Sequence, residues 1–339
     1  MKYLGFGEIL MRLNPFGYKR LRNAGCLEVS YCGAEANVMA ALANFGCETG
    51  FVTKLPENDL SIAAVNCLRS HGIDTSAIKY GDGRIGVYFV EKGASYRQSK
   101  IIYDRKNSAI SLSQAKEFEW DMLLDGYDLF YTTGISAAVS KTCCDTVLNA
   151  SKTAKAKGLA TAFDINYRKT MWDIEDASSA LTEICKSTDI LIGNEEHFRL
   201  IFGIEAEKIF YCNGKLTNDG YKDLAKKVAD KFGCKLVAMT LRDGNTADFN
   251  RWGAVIYADG ECFFSPVYDI EIKERIGAGD AFAAGLIYAL FNFNEKQKVV
   301  DFAAACACLK HSIELDFCEL TLDEVLNFVE GGSASRVAR

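Results

Sequence analysis

Proline is scarce in this sequence: Pro15, Pro56 and Pro266 are the only three in 339 residues. No Pro-rich linker therefore divides the chain, and no repeat or low-complexity tract does so either. Histidine is as rare, at His71, His197 and His311, and no C-x-x-C pair occurs among the 13 cysteines, so the usual spacings of a zinc site are missing. The cysteine number is odd and the spacing irregular. Cys143-Cys144 and Cys306-Ala-Cys308 fall in apolar stretches, where cysteine behaves as a small core residue. A reduced, cytoplasmic protein is expected. Long hydrophobic runs are also lacking. The longest, Ala281 to Phe291, falls short of the roughly 20 residues that span a bilayer. Near the N-terminus Glu8 interrupts the apolar run and no small-residue cleavage site follows, so no signal peptide is expected. Positive charge is in deficit, with a formal net charge of −6, which argues against nucleic acid or an anionic membrane surface as partner. Several nucleotide signatures are absent: G-x-x-x-x-G-K-[ST], H-R-D and D-F-G. Gly5-Phe-Gly7 is followed by Glu8 and no helical pattern, so it makes no dinucleotide fingerprint.

What is present is the composition of a globular protein, 49% hydrophobic, 12% aromatic and 25% charged. The length suits two domains, or one large α/β domain with an appendage. From about residue 113 onward, short apolar runs alternate with longer amphipathic ones. Asp128–Thr132, Leu159–Phe163, Asp189–Ile192 and Lys235–Met239 read as buried strands. Lys141–Lys157, Ala177–Lys186 and Gly220–Phe232 read as helices; in the last, Tyr221, Leu224, Ala225, Val228 and Phe232 make one stripe that Gly233 closes. Such alternation predicts a parallel sheet covered on both faces. The N-terminal third differs. Helices are expected over Gly33–Phe45 and Leu60–His71, among β-rich pieces at Glu8–Leu13, Leu27–Tyr31, Gly86–Glu91 and Gln98–Tyr103. Alternation of Ile85, Val87 and Phe89, then Ile101 and Tyr103, predicts half-buried antiparallel strands in a small projecting sheet, a lid or an interface. One uncovered apolar face on such a sheet would favour a homo-oligomer.

Ligands of open α/β sheets bind beyond the carboxyl ends of the strands. Three successive strand ends carry polar residues: Asp164-Ile-Asn166-Tyr-Arg168, Gly193-Asn194-Glu195-Glu196 and Thr240-Leu-Arg242-Asp243-Gly244. One such end is ordinary turn chemistry or a helix cap. Three in a row, two with arginine, point to an anion-binding cleft. Arg275-Ile-Gly277-Ala278-Gly279-Asp280 then opens the apolar helix Ala281–Leu290. Glycines at a helix mouth let backbone N–H groups approach an anion, which the helix dipole also favours. Asp280 is either a helix cap or a carboxylate that takes a proton from a hydroxyl while the loop amides stabilise a transferring phosphoryl group.

Gly33-Ala-Glu-Ala-Asn37, Asn194-Glu195-Glu196, Thr240-Leu-Arg242 and Gly277-Ala-Gly-Asp280 resemble, in this order, the landmarks of the ribokinase-like (PfkB) carbohydrate kinases, from Gly5 to about Phe317. Phe6-Gly-Glu-Ile-Leu-Met-Arg12, Tyr103-Asp-Arg105, Asp164-Ile-Asn-Tyr-Arg168, Trp172, Arg275–Asp280 and Leu309-Lys-His311 look most like the 2-keto-3-deoxygluconate kinases among them. The resemblance implies a three-layer α/β/α domain with a mostly parallel sheet and a small β-sheet lid. Its boundaries would be 1–10, 32–83 and 107–330 for the nucleotide- and sugar-binding core, 11–31 and 84–106 for the lid, and 331–339 for a C-terminal tail. It further implies ATP as phosphoryl donor, Mg²⁺ bridging the phosphates, a sugar acid as acceptor at its terminal hydroxyl, and a homo-oligomer through the lid sheet. By analogy Asp280 is the base, and Gly277, Ala278 and Gly279 form the anion hole. Asn194, Thr240 and Arg242 lie on the nucleotide phosphate side. Gly33, Ala34 and Asn37 meet the sugar from the core; Tyr88, Tyr103 and Arg105 meet it from the lid. An arginine fork at Arg105 or Arg168 suits the acid's carboxylate, although either could equally be a surface ion pair. Three departures stand out. The magnesium-associated Asn-x-x-Glu reads Asn194-Glu-Glu-His197, so Glu195 or Glu196 would act on the metal through water while His197 lies on the helix surface. Asp104 adds negative charge beside the proposed carboxylate site. Glu274-Arg275 replaces the usual Asp-Thr and would alter a monovalent-cation site. A kinase for another sugar, such as fructose or a modified hexose, and a non-catalytic sugar-binding relative are the alternatives.

Overall fold

The structure, a computed structural model, describes residues 1–212, 215–244 and 246–331. The tail expected over 331–339 therefore lies, beyond Gly331, outside the described residues. A nine-stranded sheet forms the centre. Its parallel part runs Leu236–Asp243, Ile190–Gly193, Ala160–Asp164, Leu129–Thr133, Lys2–Phe6 and Glu48–Val52. Beyond Leu236–Asp243 it continues antiparallel through Phe249–Ala258, which pairs with both Glu261–Phe264 and Tyr268–Glu271. The parallel strands read as continuous apolar runs because helices cover both of their faces. One core lies under Ala34–Asn44, Ala278–Asn292 and Lys296–Lys310, with Phe282, Phe302 and Trp252 fully buried. The other lies under Lys141–Ala156, Ile174–Cys185, Glu195–Phe202 and Asn218–Phe232, around Phe130, Phe163, Phe198 and Val237. The layering is α/β/α.

Local chemistry sets the helix ends. Asp173 accepts a hydrogen bond from the Asp176 N–H, so the helix expected from Ala177 begins a turn earlier, at Ile174. Gly233, in the left-handed region at φ 69°, closes Asn218–Phe232 as expected. Leu224, Ala225, Val228 and Phe232 are buried beneath that helix, while Tyr221 sits at the edge of the stripe, half-buried.

A separate four-stranded sheet runs Glu28–Cys32, Leu10–Asn14, Gly86–Glu91, Lys100–Asp104. Its outer pairs are antiparallel as expected, but the central pair, Leu10–Asn14 with Gly86–Glu91, is parallel. Flanked on both sides, Gly86–Glu91 is buried along most of its length instead of alternating. Arg12, fully buried on this sheet, bonds Asp316 at 2.5 Å and Glu274 at 2.8 Å on the main domain. Tyr88 also donates to Asp316, at 2.5 Å. Val29, Ile101 and Ile102 remain exposed on the small sheet. The cysteines whose side chains are described are all free thiols, and only Cys26 among them is exposed. Among the described residues no helix is long and apolar enough to cross a membrane.

Candidate active site

Between the carboxyl ends of the parallel strands and the small sheet lies a cleft of about 320 Å³. Gly33 enters it just before the helix Ala34–Asn44. A Cβ at Gly33 would stand 2.0 Å from the Glu8 carbonyl oxygen, so no other residue fits there. One turn on, the Asn37 Nδ2 donates to Asp280 Oδ2 at 2.7 Å.

Asp280 occupies the first turn of Ala278–Asn292. Burial raises its pKa to about 7; the Asn37 hydrogen bond opposes the rise, and the like charges of Asp164, Asp316 and Glu35 add to it. Gly277 precedes the helix at φ 85°, a region open to glycine, and a Cβ there would lie 2.1 Å from the Asp316 carbonyl oxygen. The N–H groups of Gly277, Ala278 and Gly279 take no acceptor among the described residues, as the opening turn of a helix dictates. Gly277 and Gly279 line the cleft, and Ala278 is buried behind them.

Three cations share the cleft. Arg168, Arg242 and Arg275 line the cleft and form no ion pair with any described residue. Arg168 donates only to the Asn166 and Tyr167 carbonyls, at 3.3 and 3.1 Å, and Arg275 only to those of Thr246 and Ala247. Desolvation lowers the Arg242 pKa, and repulsion from Arg168 and Arg275 lowers it further. Thr240 and Asn194 complete this wall. Asn194 is also a helix cap, its Oδ1 accepting from the His197 N–H at 2.8 Å. Asp164 caps its own turn through the Asn166 N–H at 3.0 Å, and burial raises its pKa to about 6 against the pull of Arg168. Asn166 itself is held at φ 37°.

The small sheet supplies Tyr88 and Tyr103, stacked at 6.0 Å between centroids, and Arg105. Arg105 is no surface ion pair: it is buried, with Nε on Glu8 Oε2 at 2.5 Å and Nη1 against the Met171 sulfur at 3.6 Å. Asp104 points its charge at Arg84, away from the cleft lining. Glu195 and Glu196 are exposed and line a different pocket with Arg199, so the structure does not bring either into the cleft. His197 does line it, instead of lying on the surface. Burial and the nearby Arg168 and Arg242 lower its pKa to about 3, and its Nδ1 is buried without a partner. Glu274 accepts from the Arg275 and Ile276 N–H groups through Oε1 and from Arg12 through Oε2. Three further cleft acids had no role in the sequence reading: Glu8, Glu35 and Asp316. Their only local signals were Glu8 breaking an apolar run and Glu35 between Gly33 and Asn37.

Residues 2–312 match the model of the pfkB family carbohydrate kinases. The chain belongs to that family. It is thus a carbohydrate kinase of ribokinase-like fold. It is 30% identical to the 2-dehydro-3-deoxygalactonokinase of Haloferax volcanii, over 97% of this chain and 96% of that protein. It is 25% identical to the 5-dehydro-2-deoxygluconokinase of Clostridium beijerinckii, over 97% and 93%. The crystal structure of 2-dehydro-3-deoxygluconokinase from Thermotoga maritima matches with a TM-score of 0.93 and 40% identity, over 98% of each chain.

Proposed function

We propose that this kinase transfers the γ-phosphate of ATP to the terminal hydroxyl of a 2-keto-3-deoxy sugar acid of the ketodeoxygluconate type. The observation that carries the reading is the charge pattern of the cleft. Arg168, Arg242 and Arg275, none of them in an ion pair with a described residue, line one cleft with a carboxylate, Asp280, whose pKa is near neutrality. Two anions meet in this reaction, the nucleotide triphosphate and the acceptor acid, and three unpaired guanidiniums match that demand. In this reading Asp280 takes the proton of the acceptor hydroxyl, and Asn37 orients both the carboxylate and the sugar. The free N–H groups of Gly277, Ala278 and Gly279 receive the charge that builds on the phosphoryl group. Asn194, Thr240 and Arg242 hold the nucleotide phosphates. Arg168 takes the acid's carboxylate, a charge-assisted contact of about 1.5–3 kcal/mol. Gly33 and Ala34 bound the sugar from below; Tyr88 and Tyr103 cover it.

No group of three or more His, Cys, Asp or Glu is arranged to hold a metal ion among the described residues. Mg²⁺ keeps most of its waters and is held largely by substrate phosphates, so it would enter with the nucleotide. Bound there it neutralises phosphate charge. Glu274 is occupied by Arg12 and by two loop N–H groups, so a free monovalent cation has no part in the proposal. We also expect the exposed Val29 and Ile102, on the face of the small sheet turned from the cleft, to pair in a cytoplasmic homo-oligomer.

A kinase for another sugar is favoured by one observation: Glu8 already neutralises Arg105, which leaves Arg168 as the carboxylate's main partner. Purified protein with ATP, Mg²⁺ and a panel of 2-keto-3-deoxy acids, 5-keto-2-deoxygluconate, fructose and ribose decides between them. Ketodeoxygluconate or its galacto epimer should give the highest kcat/KM. Faster turnover of a neutral sugar sinks the substrate assignment, and absence of any turnover favours a sugar-binding relative.

A further inference from the structure

Lys310 is among the largest fully buried side chains of the molecule, and the mechanism above does not use it. It ends the helix Lys296–Lys310, where a cation suits the helix dipole. Capping its own helix would not require full burial, nor a partner 34 residues away. Its ammonium donates to three backbone carbonyls, Ile276 at 3.2 Å, Ile313 at 3.0 Å and Leu315 at 2.9 Å. It forms no ion pair with any described residue, so all three of its protons meet neutral dipoles. Burial lowers its pKa, while Glu274 and Asp316 at longer range raise it. Two backbone features converge on the same spot. Leu315, a non-glycine residue, is held at φ 62°, and a Cβ on Gly277 would lie 3.2 Å from the Lys310 Cε. The lysine stem thus forms the floor under the glycine loop.

A peptide unit is planar, with C=O and N–H pointing in opposite directions. The carbonyl of Ile276 and the N–H of Gly277 belong to one such unit. Drawing the carbonyl onto an ammonium on the buried side aims the N–H to the other side, and Gly277 lines the cleft. The same contact polarises the peptide and strengthens its N–H as a donor.

We propose that Lys310 is a positioning residue: its buried ammonium, held by the carbonyls of Ile276, Ile313 and Leu315, fixes the Ile276–Gly277 peptide so that the Gly277 N–H faces the transferring phosphoryl group, and places a permanent positive charge beneath the anion hole. The role rests on the phosphoryl-transfer reading of the loop but not on which sugar is the acceptor. Because the charge is part of the chain, catalysis should need no added monovalent cation at this point.

The test uses the full-length kinase and whichever sugar it turns over best, so failure of the ketodeoxygluconate assignment leaves the test intact. Lys310→Met and Lys310→Ala should lower kcat about a hundredfold, with the sugar KM within threefold. Affinity for ATP should weaken about tenfold by calorimetry while that for ADP, which lacks the γ-phosphate, holds. Ammonium or methylammonium at 100 mM should restore the Lys310→Ala rate at least tenfold, but not that of Lys310→Met, whose side chain fills the space. Full kcat in either variant, or equal losses for ATP and ADP with no rescue, overturns the proposal. If neither variant folds, the parent decides. Its rate in tetramethylammonium buffer should be unchanged by 100 mM potassium, and activation above threefold rejects a resident charge.

Discussion

Asn37 donates its amide to the Asp280 carboxylate at 2.7 Å, across 243 residues of chain. The contact holds one carboxylate oxygen still and leaves the other for the acceptor hydroxyl of the proposed reaction. Asp280→Asn should therefore cut kcat at least about a hundredfold, within the range for loss of a positioned base. Sugar binding by calorimetry should stay close to the parent value. A variant that retains turnover removes Asp280 from the chemistry.

The pKa near 7 gives the proposed base a pH signature. A base works deprotonated, so kcat/KM should be flat above about pH 7.5 and fall roughly tenfold per unit below pH 6.5. Asp280→Asn should flatten that limb in whatever activity remains.

Stability should move the opposite way. A carboxyl whose folded pKa exceeds its unfolded value binds more protons when folded, so its ionisation disfavours the fold. That penalty is absent below the unfolded value of about 4, grows through pH 7 and is then constant. Asp280→Asn should raise Tm by roughly 1–2 °C at pH 8, for about 1 kcal/mol gained, with the gain vanishing by pH 4. Scanning calorimetry at the two pH values checks it.

The two arginines proposed for the acceptor side should separate. Arg168→Ala should raise the KM for a keto-deoxy acid about 10- to 100-fold and leave a neutral sugar's KM unchanged, with little effect on Tm. Arg105→Ala strands the buried Glu8 carboxylate, which costs about 3–5 kcal/mol, so it should lower Tm sharply as well as raise KM. Equal Tm losses in both would show that Arg168 is structural.

Gly277→Ala tests the loop itself. Its φ of 85° and the Asp316 carbonyl 2.1 Å from any Cβ leave no room for a methyl group. The left-handed conformation alone costs about 1–2 kcal/mol. Loss of kcat beyond about a hundredfold is expected, with a Tm drop of several degrees; parent-like rates would mean the loop does not face the phosphoryl group.

Much of this architecture was legible because it is written locally. Parallel strands covered on both faces appear as apolar runs, and Gly277 announces a tight turn before a helix that only glycine can make. The small sheet's central pairing was not legible: strand direction is set by chain crossing, and no pattern in Leu10–Asn14 or Gly86–Glu91 records it. Charge partners were hidden for a similar reason. Arg12 finds Asp316 across 304 residues and Arg105 finds Glu8 across 97, distances at which no spacing rule operates. His197 shows a subtler gap. With Asn194 as the cap, position 197 is the third of the helix and turns back towards the cap and the cleft, whereas Glu195 and Glu196 turn outward. The sequence motif named the right helix start, but only the cap geometry selects which side chain looks inward.

The thiol inventory has a practical consequence. Cys26 lies on the small sheet's approach to Glu28–Cys32, exposed, while the other cysteines with described side chains are buried or half-buried, several with burial pushing their thiols up to about 11. Maleimide dyes react with the accessible thiolate, so among the cysteines with described side chains Cys26 should take a fluorophore first. A label at that spot rides on the small sheet beside the cleft, and its emission would report whether that sheet moves as nucleotide and sugar come and go.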